Sequence, residues 1–352
     1  MTLAVGLMSG TSADGITAVL ARFSADKAEV LRERTTPYSP ALRALVLDAA
    51  KLTTPELSRL NFALGEAFAE AALGIMRGAK PVVIGSHGQT VWHGPNAKPA
   101  NTLQLAEAAV IAERAGVPVY SDFRPRDMAS GGQGAPLVPA FDEFLFARGP
   151  LRAIQNIGGI GNVSIVGGGR LRSAFDTGPG NGLMDLAVRR ASNGRRHYDA
   201  GGRLARAGWA DVRLVERLMG HPYFKRKGPK SLDKDDFGAA FLDRHFKGKR
   251  LEDVVATLNL FTAETIVRSM TKGVTELVVS GGGALNPVMM TNLRRRSPVP
   301  VSTTDAYGVP VMAKEAACFA WLAVRALAGR PNNCPAATGS RGPRVLGKLT
   351  PA

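Results

Sequence analysis

Two apolar, strand-like runs, Thr2 to Met8 and Ile16 to Phe23, meet at a tip with almost no side chain, Gly10-Thr11-Ser12-Ala13-Asp14-Gly15. The device returns from Ala153, where "AIQNIGGIGNVSIV" again reads as strand, small-residue tip and strand. A third run follows in each case, Ala28 to Arg34 in the first half and "GRLRSAFD" in the second, so each half opens with an antiparallel meander. A chain that repeats such a meander is held to two halves built alike.

The remainder alternates helix and strand. Ser39-Pro40 marks a helix to about Ala50, and Thr54-Pro55 a longer one to about Arg77, along which Leu57, Leu60, Leu64, Phe68, Ala71 and Ile75 share one face. "PVVIGS" from Pro81 and "VPVYSD" from Val117 read as buried strands on either side of a helical segment near Ala106 to Ala115, a βαβ arrangement. The crossover is expected between Leu137 and Pro150, which gives halves of 1–145 and 146–352. In the second half, "KGVTELVVSGGGALNPVMMTNL" reads as a strand ending in three glycines and then a helix, and Val311 to Leu327 as a closing amphipathic helix.

A chain of 352 residues, 45% hydrophobic and 21% charged, is long enough for two cores. It has no apolar run of the ~18 residues a membrane helix needs, and no Lys or Arg precedes its first apolar run, so cytoplasm is the expected compartment and no membrane partner is expected. Cys318 and Cys334 have neither metal-type spacing nor a disulfide framework and read as reduced structural thiols. A formal charge of +16 invites a nucleic-acid partner. Yet the basic clusters ("RRASNGRRHY", "KRKGPK", "RHFKGKR", "RRR" from Arg294) lie apart with few aromatics among them, so a solvated basic surface is the reading and nucleic acid is not expected.

Gly-rich tips at strand ends expose backbone N–H groups and let a ligand approach the main chain, as phosphate cradles do; Thr11 and Ser12 add hydroxyls. Asp14 would repel phosphate unless a magnesium ion lay between them. Each tip is also an ordinary hairpin turn by composition, and the repetition is what favours the phosphate reading. No G-x-G-x-x-G opens a helix after a strand, and "GPRVLGKL" lacks the Ser or Thr of a P-loop. Asp176, at the end of "RSAFD" before "TGPGN", is either a fixed catalytic carboxylate or an Asx-turn cap. Arg124 and Arg126 are either clamps for a substrate carboxylate or partners of Asp122 and Asp127. His87 and His93 read as hydrogen-bonding loop residues.

The segments "GLMSGTSADGI", "SHGQTVWHGP", "DFRPRDMASGGQGAPLVPAFDEFLF", "NIGGIGNVSIV", "FDTGPGN", "SGGGALNP" and "TGSRGPRVLGKL" resemble, in order and over essentially the whole chain, those of the anhydro-N-acetylmuramic acid kinases. That resemblance implies the two-domain α/β fold of the sugar kinase, actin and heat-shock chaperone superfamily, with ligands between the halves. It also implies an enzyme of cell-wall recycling that uses ATP, magnesium and water to open 1,6-anhydro-N-acetylmuramic acid and phosphorylate O6, and that is commonly a homodimer. Carried over by motif, Gly10, Thr11, Ser12, Ala13, Asp14, Gly15, Ile16 and Thr17 match the first ATP phosphate loop, with Asp14 toward the metal. Asn156, Gly158, Gly159, Gly161 and Asn162 match the second loop; Gly281, Gly282, Gly283 and Asn286 match the adenosine site; Asp176 matches the catalytic carboxylate. Thr90, Arg124 and Glu315 fall in the sugar-contacting segments. The chain departs from the family at Thr17, where Asp is usual, and at Gly161, where Ala is common.

Overall fold

A computed structural model of the chain describes residues 1–226, 230–232 and 236–352. It divides into two units, Met1–Leu145 with Tyr307–Ala352, and Phe146–Ala306. The first contains β1 (Thr2–Ser9), β2 (Gly15–Phe23), β3 (Ala28–Pro37), β4 (Val83–Gly94), β5 (Asn101–Leu105) and β6 (Val119–Ser121). The second contains β7 (Arg152–Ile157), β8 (Gly161–Gly167), β9 (Arg170–Gly178), β10 (Glu276–Ser280) and β11 (Val301–Thr303), and β12 (Lys348–Thr350) returns to the first.

The two sheets share one plan. In the first the order is β3-β2-β1-β4-β6-β12, with β5 paired to β4; in the second it is β9-β8-β7-β10-β11. Each begins with a three-stranded antiparallel meander and continues with two strands running parallel to the meander's first. This is the mixed α/β architecture expected from the repeated tips. The central strands bury both faces, as the neighbouring, oppositely directed Ala4 and Val5 at 0% exposure and Ala153 and Ile154 at 0% and 1% show, whereas edge strand β3 exposes Arg32, Glu33 and Arg34, charges that discourage further pairing.

The helix Thr54–Met76 lays Leu60, Leu64, Phe68, Ala71 and Ile75 into a core with Val5, Leu7, Ile16, Leu20 and Ile84. Its cap is Thr53 rather than Thr54, because Glu56, three residues on, accepts the Thr53 backbone N–H at 2.8 Å. β4 and β6 lie parallel with the helix Ala108–Ala115 between them in sequence, as a βαβ unit demands. The run from Pro81 continues through "SHGQTVWHG" as strand, so His87 and His93 are strand residues, not loop residues.

The C-terminal segment differs from expectation. The closing helix spans Lys314–Leu327 and is buried around most of its girth, with no polar face. Its backbone rests directly on the first sheet: a Cβ on Gly6 would lie 1.9 Å from the Ala316 carbonyl oxygen, and one on Gly85 2.0 Å from that of Phe319. Phe141 and Phe144, from the helix Val138–Phe146, cover its Trp321. With β12 paired to β6 as well, Tyr307–Ala352 is part of the first unit, whereas the sequence reading placed it in a second half of 146–352.

β10 does not pass straight into a helix after its glycines. A 3-10 turn, Gly282–Leu285, intervenes, and Asn286 caps the helix Pro287–Arg296 by accepting the N–H groups of Val288 and Met289 at 3.0 and 3.3 Å. Much of the basic excess sits in last turns of helices, where cations complement the helix dipole: Arg189 and Arg190, Arg244, and Arg294 to Arg296. Arg190 pairs with Asp243 at 2.9 Å and Arg296 with the buried Glu264 at 2.9 Å. Part of the "KRKGPK" cluster lies outside the described residues. Among those described, no helix is long and apolar enough to cross a membrane, and Cys318 and Cys334 are both buried and free.

Candidate active site

In the second unit one row of polar side chains crosses the sheet. Asp176 on β9 pairs in register with Asn162 on β8, Asn162 with Asn156 on β7, and Asn156 with Ser280 on β10. Residues directly opposite in neighbouring strands point to the same face, so the four line up. The register shifts immediately beyond Asp176, where Thr177 is bulged, its hydroxyl accepting from Gln155 Nε2 at 3.1 Å.

Asp176 is held rather than free to cap its own turn. Its Oδ2 accepts the N–H of Leu232 at 2.8 Å, its own N–H donates to the Lys230 carbonyl at 2.9 Å, and its carbonyl accepts the Tyr223 hydroxyl at 2.7 Å. Burial pushes its carboxyl above the usual range, against the lowering effect of the Leu232 N–H. The Asx-turn reading therefore gives way to a carboxylate fixed by a segment far along the chain.

The tip between β7 and β8 is braced from one side and open on the other. Asn181 and Gly182 donate to the carbonyls of Gly158 and Gly159 at 2.8 and 2.9 Å, while a Cβ on Gly159 would meet nothing within 4 Å. Gly281 has φ +82, and a Cβ there would lie 2.5 Å from Asn156 Oδ1, so only glycine lets the turn after β10 rest on the row. Asn286, matched to the adenosine site, is placed as a helix cap.

In the first unit the tip Gly10–Gly15 is strapped by its own side of the sheet. Ser9 Oγ is 2.8 Å from the Gly15 carbonyl and 2.7 Å from Gln89 Oε1; Gln89 Nε2 donates to the Gly10 carbonyl at 3.2 Å, and Tyr38 bonds the same glutamine. Arg43 reaches the carbonyls of Ala13 and Ser12 and pairs with Asp14 at 3.3 Å. Thr11, Ser12 and Asp14 are exposed, and a Cβ on Gly10 would have only Ser12 Oγ within 4 Å, at 3.8 Å. Carbonyls are tied inward, which leaves the outer side of the tip to a ligand. Thr17 faces Thr35 across the meander, hydroxyl to hydroxyl at 3.0 Å.

Also in the first unit, Arg124 donates through Nε to Nε2 of His87 at 3.1 Å, with Nη2 3.0 Å from the same nitrogen. Asp122 instead pairs with Lys348 at 2.8 Å, and Asp127 accepts the Gly134 N–H and the Thr338 hydroxyl, both at 2.9 Å. The expected alternative, arginines spent on those aspartates, is not what the side chains do. Burial lowers Arg124 to about 10 while the Glu315 carboxylate acts to raise it; burial also raises Glu315, opposed by Lys314 and Arg124. Thr90 accepts from Gln104 Nε2 at 3.3 Å.

The family model for anhydro-N-acetylmuramic acid kinase matches residues 2–352. The chain belongs to the anhydro-N-acetylmuramic acid kinase family. A relative of that name from Caldanaerobacter subterraneus subsp. tengcongensis is 40% identical over an alignment of 383 positions, covering 99% of this chain and 96% of its own. Among solved structures, a ROK family glucokinase from Streptomyces griseus in complex with glucose and AMPPNP has a TM-score of 0.44 at 14% identity, covering 92% of this chain and 99% of that one. The activator of the 2-hydroxyisocaproyl-CoA dehydratase from Clostridium difficile with bound ADPNP has a TM-score of 0.43 at 14% identity, covering 92% and 94%. Likeness at that level carries no argument here.

As a member of the anhydro-N-acetylmuramic acid kinase family, the chain is an ATP-dependent kinase of anhydro-N-acetylmuramic acid. Several parts of the frame around its matched residues had no signal in the sequence. Arg43 lies on the helix Pro40–Leu47, and Tyr223, Lys230 and Leu232 lie well beyond Asp176, so only the fold brings them to the tip and the carboxylate. Gln89 and His87 stand inside the family-like segment "SHGQTVWHGP", but nothing local to it pairs them with Gly10 or Arg124.

The open space at Gly10 allows a clean test. Gly10→Val is expected to leave the melting temperature close to parental and to weaken ATP binding measured by calorimetry, because a branched side chain at an uncrowded tip obstructs oxygens approaching its amides. Parental ATP affinity in this variant would show the tip to be only a turn.

Proposed function

We propose that this kinase opens the 1,6-anhydro bond with a water molecule activated by Asp176, within the turnover that phosphorylates O6. The observation that carries this reading is the in-register row of Asp176, Asn162, Asn156 and Ser280, with its carboxylate half-buried and held by Leu232. Water attacks C1 and gives its proton to Asp176. The C1–O6 bond breaks with its electron pair on O6, O6 attacks the γ-phosphorus, and the bond to ADP breaks. The products are N-acetylmuramic acid 6-phosphate and ADP.

In this reading Gly10 to Thr17 and Asn156 to Asn162 take phosphate oxygens on backbone N–H groups. Gly281 to Gly283 lie against the adenosine, with Asn286 acting through its cap. Asp14, exposed at the first tip, would be the residue toward a magnesium ion accompanying the nucleotide, and the ion would offset phosphate charge there. The chain acts on small molecules in the cytoplasm as a homodimer.

Thr90, Arg124 and Glu315 contact the sugar, Arg124 through the lactyl carboxylate. Arg124→Ala is therefore expected to raise the sugar KM by the equivalent of about 1.5–3 kcal/mol with ATP affinity nearly intact. Equal losses for both substrates would make it a structural residue. Mass spectrometry of the product separates this reading from an ordinary amino-sugar kinase: the sugar must gain one phosphoryl group and one water, and a gain of phosphoryl alone would refute ring opening.

A further inference from the structure

His87 is 3% exposed, on β4, and outside every role assigned above. Its Nδ1 lies 3.0 Å from the Gly88 carbonyl, which has no proton to give, so Nδ1 carries the hydrogen and Nε2 presents a lone pair. That lone pair takes Arg124 Nε and lies against Nη2. The imidazole ring is fixed on its other side by Phe319, centroid to centroid 4.6 Å, and Phe319 in turn packs on Phe123, the residue before Arg124. Burial and the neighbouring guanidinium hold His87 at about 3, so it is neutral at neutral pH.

A half-buried arginine such as Arg124 is ordinarily aimed by a carboxylate, which also cancels its charge. Here the group that fixes the guanidinium edge is a neutral acceptor. We propose that His87 is a positioning residue that orients Arg124 while leaving its charge to be answered by an anionic group of the substrate. This rests on the reading of Arg124 as the holder of the lactyl carboxylate. Glu315, whose charge also acts on Arg124, stands on the helix Lys314–Leu327, while the Nε edge is taken by His87.

The test is a double-mutant cycle read with two sugars, 1,6-anhydro-N-acetylmuramic acid and 1,6-anhydro-N-acetylglucosamine, which lacks the lactyl carboxylate. His87→Phe keeps a ring against Phe319 and removes the acceptor; His87→Ala only removes atoms and completes the same cycle where the larger ring is not accommodated. Either variant is expected to raise KM for the carboxylated sugar about tenfold, the scale of a charge-assisted contact, while KM for the other sugar and kcat at saturation change less than about twofold. Combined with Arg124→Ala, the histidine change is expected to add nothing further. Equal effects on both sugars, or additive losses in the double variant, overturn the positioning role. If Arg124→Ala alone leaves the preference between the two sugars unchanged, the reading of Arg124 itself fails, a result distinct from either of these.

Discussion

Asp176→Asn is expected to lower kcat ~100- to 10,000-fold with little change in ATP binding. The amide keeps the shape and can still accept the Leu232 N–H, so the hold on the side chain survives; what is lost is the basic lone pair. Stability moves the other way, if at all. A carboxyl raised by burial favours its protonated form in the folded chain, so its stabilising contribution is present at low pH and lost as pH rises through the folded value. At neutral pH the carboxylate carries that cost and the amide does not, hence a melting temperature equal to or slightly above the parent's. The same shift sets the pH profile: the acid limb of kcat/KM lies above the ordinary aspartate range, and activity falls as pH falls through it. A variant retaining more than roughly a tenth of parental kcat would remove Asp176 from the base's role.

Gly6→Ala is expected to destabilise the first unit by on the order of 3 kcal/mol, lowering the melting temperature by roughly 5–10 °C. The added methyl would sit 1.9 Å from the Ala316 carbonyl oxygen and 3.0 Å from the Ala320 nitrogen, so the helix Lys314–Leu327 must lift from the sheet. That helix carries Glu315 and Phe319, so the lift also disturbs Arg124 and His87. Gly159→Ala is the matched control, since its methyl meets nothing within 4 Å. A thermal melt of Gly6→Ala that overlays the control would mean the helix does not rest on β1.

The repeated meander was legible because alternating strands around a bare tip leave a local signature, and both sheets follow it strand for strand. The closing helix was misread for a physical reason. Its Ala-rich surface, with Lys314 and Glu315 at one end, looks amphipathic in sequence. Lys314 is nevertheless placed inside, satisfied by buried Asp142 at 3.1 Å. Nothing local could assign that partner, or the return of Tyr307–Ala352 to the first unit, because both depend on pairing across the chain.

Site residues divide in the same way. Glycines and the carboxylate of "FDTGPGN" were readable as types. What they touch was not: Arg124 has the choice of two nearby aspartates in sequence and takes His87 in space. Asn286, a candidate by motif, is occupied by its helix cap. Thr17, where the family's usual Asp is missing, has its hydroxyl opposite that of Thr35, so a neutral cross-strand pair stands in that place.

Water as the nucleophile at C1 is tested directly by one labelling experiment. With ATP, magnesium, the anhydro sugar and oxygen-18 water, a single turnover analysed by mass spectrometry before the anomeric hydroxyl can exchange is predicted to place the label at C1, with O6 and the transferred phosphoryl oxygens unlabelled. Label found in the phosphate, or an unlabelled C1, would contradict it.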